Sequence, residues 1–220
     1  MFPTIFDRIY HQIDIRTKKF LAPLKRNKLK RTEFTIVSNN CWGGVCYEHY
    51  GLIKQSPTIG MYFYPDDYLK LISNVKHYFS TEMRIISAEE SKHYAELERD
   101  NACMYYIGVI DDIEAVLVHY KNSDLAVEKW KRRCSRVNYD NLLFKFCQQN
   151  GCTETQLEMF DNMELPGNKF MFVTNSNYRY KCAVYYRGFE KKQQIDNDTF
   201  YWDRFLDVTK LLNGEGLYKR

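Results

Sequence analysis

Glycine and proline are scarce, at 10 and 5 in 220 residues, which excludes a collagen-like or low-complexity chain. Long apolar runs are also missing. No stretch reaches the roughly 18 residues of a membrane span, and the N-terminus lacks the apolar core of a secretory leader, so the expectation is an intracellular, cytoplasmic chain. The seven cysteines, Cys41, Cys46, Cys103, Cys134, Cys147, Cys152 and Cys182, are odd in number and irregular in spacing. That excludes a disulfide framework, and most of them read as small buried hydrophobes. Without Cys-x2-Cys or two histidines four apart, the zinc ligand patterns are absent and no metal site is expected.

What is present is core material: 45% hydrophobic residues and 16% aromatics, including 18 Tyr and 14 Phe. The length suits one large domain or a domain with a small appendage. Charge is uneven. Residues 1–31 hold nine Lys and Arg against Asp7 and Asp14, a surplus of seven; the chain totals +4, leaving residues 32–220 at −3. Within the basic head, Phe2, Ile5, Phe6, Ile9 and Ile13 recur at three and four residues, which makes an amphipathic helix. Two readings compete for it: docking on an anionic membrane surface, or packing on the body ahead of a solvated linker. Nucleic acid is not expected, because the body has no matching basic excess.

From residue 32 onward short β-rich runs alternate with helical patterns. Strands are expected at 32–38, 58–64, 83–87, 105–110, 113–120, 142–147, 169–174 and 181–186. Helices are expected at 45–50, 65–79, 88–99, 123–137, 153–163 and 199–212. Alternation of this kind predicts an α/β fold with a mixed, largely parallel sheet, helices on both faces and the basic amphipathic helix in front, residues 32–220 forming one domain. Ligands in such sheets bind beyond the carboxyl ends of strands.

The first strand runs into Ser38-Asn39-Asn40-Cys41-Trp42-Gly43-Gly44. Gly43 and Gly44 permit close backbone approach, and Asn39 and Asn40 offer amides. Cys41, at the start of a helix, is a nucleophile candidate if its thiol is exposed there; the alternative is a tight turn with Cys41 and Trp42 packed inward. His119 ends the apolar run Val116-Leu117-Val118 and is the candidate base. Asp111, Asp112 or Asp140 are available to orient it, with Asp140 taken as third member. Asp111 and Asp112 also admit a Mg²⁺ reading, against their ordinary use in a hairpin turn. Lys129, Arg132, Arg133 and Arg136 fall at i, i+3, i+4 and i+7. They form one basic stripe suited to a phosphate-bearing substrate, or to ordinary surface carboxylates. Asn141, with Asn138 and Asp140, is placed beside sugar hydroxyls or phosphate.

Ser38 to Gly44, Ser56-Pro57-Thr58-Ile59-Gly60, Asp67-Tyr68-Leu69-Lys70-Leu71, His119-Tyr120-Lys121, Lys129-Trp130-Lys131-Arg132-Arg133 and Asp140-Asn141-Leu142 together resemble the bacterial domain-of-unknown-function family nineteen-nineteen over residues 32–210. The string Asn39 to Gly44 is the most specific part. The resemblance implies a place in exopolysaccharide or capsular polysaccharide biosynthesis, with a phosphorylated sugar, nucleotide-sugar or lipid-linked glycan as partner. A looser likeness, Cys41 followed by a histidine and an Arg-Arg-x-x-Arg helix, is to a papain-like cysteine family of lipopolysaccharide loci. Two functions follow from these likenesses. One is a transferase-type enzyme peripheral to the inner membrane face; the other is a noncatalytic glycan- or partner-binding accessory protein. Glu89, Glu90, Lys92, Glu96, Glu98, Arg99 and Asp100 make residues 88–104 more charged than the family pattern.

Overall fold

A computed structural model describes residues 5–217 and 219; Phe2 of the amphipathic stripe lies outside them. Helix α1 (Ile5–Arg26) is followed by β1 (Thr35–Ser38), α2 (Trp42–His49), α3 (Pro65–Ser73), α4 (Val75–Ser80) and β2 (Met83–Ile86). Next come α5 (Tyr94–Arg99), β3 (Ile107–Ile110), β4 (Ile113–Val116), α6 (Ser123–Cys134) and β5 (Leu142–Cys147). The chain ends with α7 (Glu154–Asn162), β6 (Gly167–Val173), β7 (Ala183–Tyr185) and α8 (Val208–Leu212).

Four strands form a parallel sheet in the order β1-β5-β6-β7, and β2, β3 and β4 form a separate antiparallel sheet. Side chains of the parallel sheet alternate between two cores, as a period of two requires. Val37, Phe144, Phe146, Met171 and Val173 face Tyr68, Leu71, Trp130 and Phe160 from α3, α6 and α7. Ile36, Leu143, Cys147, Phe170 and Phe172 face Trp42, Cys46, Tyr47 and the C-terminal Trp202, Phe205 and Leu211. Every residue of β5 is buried, as expected of a strand covered by helices on both sides.

Several elements differ from the sequence expectation for local reasons. Residues 58–64 are loop with one bridge, Tyr62 to Val116, because Ser56 and Thr58 bond to each other through their hydroxyls and Gly60 turns the chain at φ 88°. The helix expected over 65–79 breaks at Asn74 (φ −148°, ψ 63°), whose side chain accepts from His77 N and starts α4. The charged stretch 88–99 is a short 3-10 turn and α5, separated where Lys92 Nζ and His93 Nε2 reach Asp67 at 2.5 and 2.7 Å. Ser91 Oγ donates to buried Glu114 at 2.5 Å, so these charges fasten the segment to α3 and β4. The expected helix over 199–212 survives only as α8. Asp111 and Asp112 form the expected two-residue hairpin turn, with Asp111 at φ 54°.

Helix α1 runs through much of the basic block and packs on α2. His49 Nε2 lies 3.2 Å from Asp14 Oδ2, Lys18 Nζ lies 2.6 Å from Glu48 Oε2, and Ala22 is buried. No helix among the described residues is long and apolar enough to cross a membrane.

Candidate functional site

The turn after β1 is built by Asn40. Its Oδ1 accepts from Trp42 N at 3.1 Å and from Lys145 Nζ at 2.9 Å, and its Nδ2 donates to Gln149 Oε1 at 2.7 Å and Asp198 Oδ1 at 3.0 Å. Lys145 and Asp198 form an ion pair with side chains 0% and 1% exposed. Asn39 donates to Cys147 O, and Gly43 N donates to Ser38 Oγ. Asn39, Asn40 and Gly43 are therefore buried parts of the frame beneath the turn, which corrects their expected role as direct ligand contacts. A Cβ on Gly43 would meet Ile36 and Ser38 at 3.1 and 3.2 Å, so the position is small for packing reasons. Trp42 is packed inward, its Nε1 donating to Trp202 O, while Cys41 remains half-buried.

Above Cys41 is a cleft of about 320 Å³, walled by Gly44 and Glu48 of α2, Lys54, Ile59 and Gly60 of the following loop, His119, Tyr120, and Lys129 and Arg133 of α6. Gly60 takes φ 88°, and its bare Cα lies against the Tyr120 ring. Tyr120 Oη donates to Ile59 O at 2.6 Å; Arg133 Nη1 donates to the same carbonyl at 2.6 Å and to Tyr120 Oη at 2.9 Å. Lys129 Nζ sits 5.5 Å from the centroid of the Tyr120 ring. His119 reaches the cleft because its backbone N–H donates to Gly60 O. It lies beyond β4, in the antiparallel sheet, rather than at a strand end of the sheet that carries Cys41.

The structure thus gathers Cys41, Gly44, His119, Lys129 and Arg133 and separates them from the other candidates. Asp140 and Asn141 precede β5, at the opposite edge of the parallel sheet from Cys41. Asn141 Nδ2 donates to Glu33 O, and Asp140 N donates to Asn138 Oδ1. Asp140 therefore cannot orient His119, and Asn141 secures strand entry instead of binding substrate. The basic stripe is divided: Arg133 is buried, whereas Arg132 is exposed and paired with Glu128 at 2.6 Å, and Arg136 is exposed past the helix end. Asp111 and Asp112 are engaged by His77, and by Lys70 and Tyr78. Among the described residues, no group of three or more His, Cys, Asp or Glu is placed to hold a metal ion.

Electrostatics define what remains. Glu48 is shared by Lys18 and Lys54, and those lysines hold its carboxyl below the ordinary range against the opposing effect of burial. Neither Lys129 nor Arg133 has a carboxylate partner among the described residues. Burial, then the charges of Arg133 and Arg132, push the Lys129 ammonium down. Two cations without counter-ions therefore face one cleft. Burial, reinforced by the Asp198 carboxylate, pushes the Cys41 thiol up to about 11. The resting side chain is a neutral thiol, not the thiolate a preformed nucleophile requires. No hydrogen bond joins it to His119, whose ring is exposed and makes no hydrogen bond among the described residues. At neutral pH, iodoacetamide is accordingly expected to label Cys41 no faster than half-buried Cys103; faster labelling of Cys41 would reveal a thiolate.

Lys145, Asp198 and Lys54 are not singled out by the sequence pattern, and Tyr120 enters it only within the string His119-Tyr120-Lys121. Only Lys145 carried a signal, as a cation inside the apolar run Leu142 to Cys147. A larger open depression, about 880 Å³, lies beyond β5 and β6. Its lining holds Arg99 and Lys192 against Asp100, Glu154, Glu190 and Asp196, and these groups are engaged within the protein: Arg99 with Asp100, Lys192 with Asp196, and Glu154 and Glu190 with Tyr178 and Tyr185.

Fold and cleft define an α/β protein with a cationic pocket beside the carboxyl end of its first strand. The chain belongs to the family described as domain of unknown function DUF1919, whose model matches residues 12–211. An uncharacterized protein of Haemophilus influenzae is 28% identical over 216 residues, covering 94% of this chain and 98% of that one.

Proposed function

We propose that the cleft recognises the phosphate of a sugar intermediate and that the protein is a transferase-type enzyme of exopolysaccharide or capsular polysaccharide assembly. The observation that carries this reading is the pair of uncompensated cations, Lys129 and Arg133, facing one cleft. A guanidinium buried among neutral partners alone gains from an anion that reaches its remaining N–H groups. Arg133 commits Nη1 to Ile59 O and Tyr120 Oη, which fixes the guanidinium plane and leaves the rest of its donor fork for phosphate oxygens. Lys129 and Lys54 add point charges.

His119, at the same cleft, carries the imidazole that gives a proton to the leaving group or takes one from the acceptor hydroxyl. Cys41 is neutral at rest and acts as a nucleophile only if its proton passes to His119 when substrate binds. That proton state also favours a second reading, in which the chain is a noncatalytic glycan- or partner-binding accessory protein.

Calorimetric titration with pyrophosphate and with a nucleoside diphosphate sugar tests the proposal. Removing one charged hydrogen-bonding partner costs about 1.5–3 kcal/mol, so Lys129→Ala is expected to weaken binding by roughly 10- to 100-fold without lowering Tm. Equal affinity in Lys129→Ala and wild type would overturn the phosphate assignment. Retained binding with no turnover after His119→Ala, against turnover in the wild type, would separate the enzyme from the accessory reading.

A further inference from the structure

Helix α1 has two faces, and only one of them holds it to the body. The inner face carries the Asp14–His49 and Lys18–Glu48 pairs, buried Ala22, the Arg26 Nη1 bond to Gly51 O at 3.2 Å, and Lys25 Nζ at 4.7 Å from the Trp202 ring. On the other face Ile9, Ile13, Phe20 and Leu24 stand at i, i+4, i+11 and i+15, which a period of 3.6 stacks on one side of the helix. They are 52%, 55%, 80% and 59% exposed. At 1.5 Å per residue the stripe is about 22 Å long, and exposed apolar stripes of this kind mark interaction surfaces.

Charge identifies what covers it. Arg8, Arg16 and Lys19 are exposed beside the stripe, with no carboxylate partner among the described residues. Between residues 8 and 31 the one acid is Asp14, and it is turned inward to His49. A second copy laid on this face would bring cation against cation, whereas an anionic bilayer satisfies both the apolar stripe and its basic border. The helix is amphipathic and too polar to cross a membrane.

We propose that α1 is a bilayer-docking helix that lies in the headgroup plane of an anionic leaflet with Ile9, Ile13, Phe20 and Leu24 turned into the acyl boundary. This proposal is independent of the cleft reading. Flotation of the full chain with phosphatidylcholine vesicles, and with mixed phosphatidylcholine–phosphatidylglycerol vesicles at low and high salt, tests it. Strong, salt-sensitive binding to the mixed vesicles is expected, weaker by about tenfold or more on phosphatidylcholine alone. Phe20→Glu and Ile13→Glu should each reduce binding by about tenfold or more, at unchanged Tm because both side chains are exposed. Lys129→Ala should leave it intact, which separates bilayer docking from capture of a lipid phosphate in the cleft. Equal binding by wild type and Phe20→Glu, or no vesicle binding at all, would overturn the proposal. So would a dimer in light scattering that Phe20→Glu dissolves, since it would assign the face to a second copy.

Discussion

Lys145→Met is expected to destabilise the protein by about 3–5 kcal/mol, the usual cost of removing one partner from a buried ion pair. The lysine is 0% exposed and Asp198 1%, so no water replaces the lost ammonium, and the stranded carboxylate retains Asn40 Nδ2 at 3.0 Å and the Cys147 thiol, both neutral donors. Asn40 in turn loses one of the two donors to its Oδ1, keeping Trp42 N. Domains of this size are stable by about 5–15 kcal/mol, so the single variant should show a large fall in urea midpoint. The double variant Lys145→Met/Asp198→Asn removes both charges and should recover most of the loss. A cost below about 1 kcal/mol for the single variant would mean that the pair is solvated in solution, and the account of the Cys41 turn would fail with it.

Acid should loosen the junction between α1 and α2. His49 is 3% exposed, its ring stacks on Trp202 with centroids 4.4 Å apart, and its Nδ1 is buried without a partner. Burial lowers its pKa to about 4, with Asp14 opposing and Lys25 and Lys18 assisting. The unfolded chain binds a proton near pH 6.5 that the native chain refuses until about pH 4. Stability therefore falls as pH falls through that window and levels off below it. The ceiling is about 3 kcal/mol, and about 2 kcal/mol is expected once solvent screening is allowed for. His49→Phe keeps a ring on Trp202 and removes the titration, so between pH 6.5 and pH 4 wild type should lose about 2 kcal/mol relative to the variant. Parallel profiles would show that the native and unfolded chains take up this proton over the same pH range.

How much of this was legible in the sequence depended on how local each signal was. The run Leu142 to Cys147 was readable as a strand because apolar residues without helical spacing mark a doubly covered strand. Helix α7 was readable from its Thr153 cap, though the box closes through Gln156. The break at Asn74 was missed because apolar spacing continues across it, and the 58–64 loop was missed because its β-rich composition serves buried packing. In the cleft, Cys41, His119, Lys129 and Arg133 were legible as residue types. Asp140 was misplaced because sequence order does not tell which edge of a sheet a loop occupies. Nothing marked Asp198, whose partners Asn40 and Lys145 lie 158 and 53 positions away. The grouping of Arg132 and Arg133 into one stripe fails because one residue, about 100° of helix rotation, separates a side chain that salt-bridges at the surface from one that bonds to Ile59 O.

The strand order carries a consequence for the making of the protein. Thr35 pairs with Leu142 and Ser38 with Lys145, so β1 has no strand to join until more than a hundred further residues exist. At synthesis rates of about 5–20 residues per second, that interval is roughly 5–20 s. Helix α1 is complete long before it ends, and the apolar residues of α2 and the open edge of β1 must be sheltered meanwhile by something other than their final neighbours. A ribosome stalled before residue 142 would hold a chain in which α1 can already pack on α2 while the edge of β1 has no strand of its own to join.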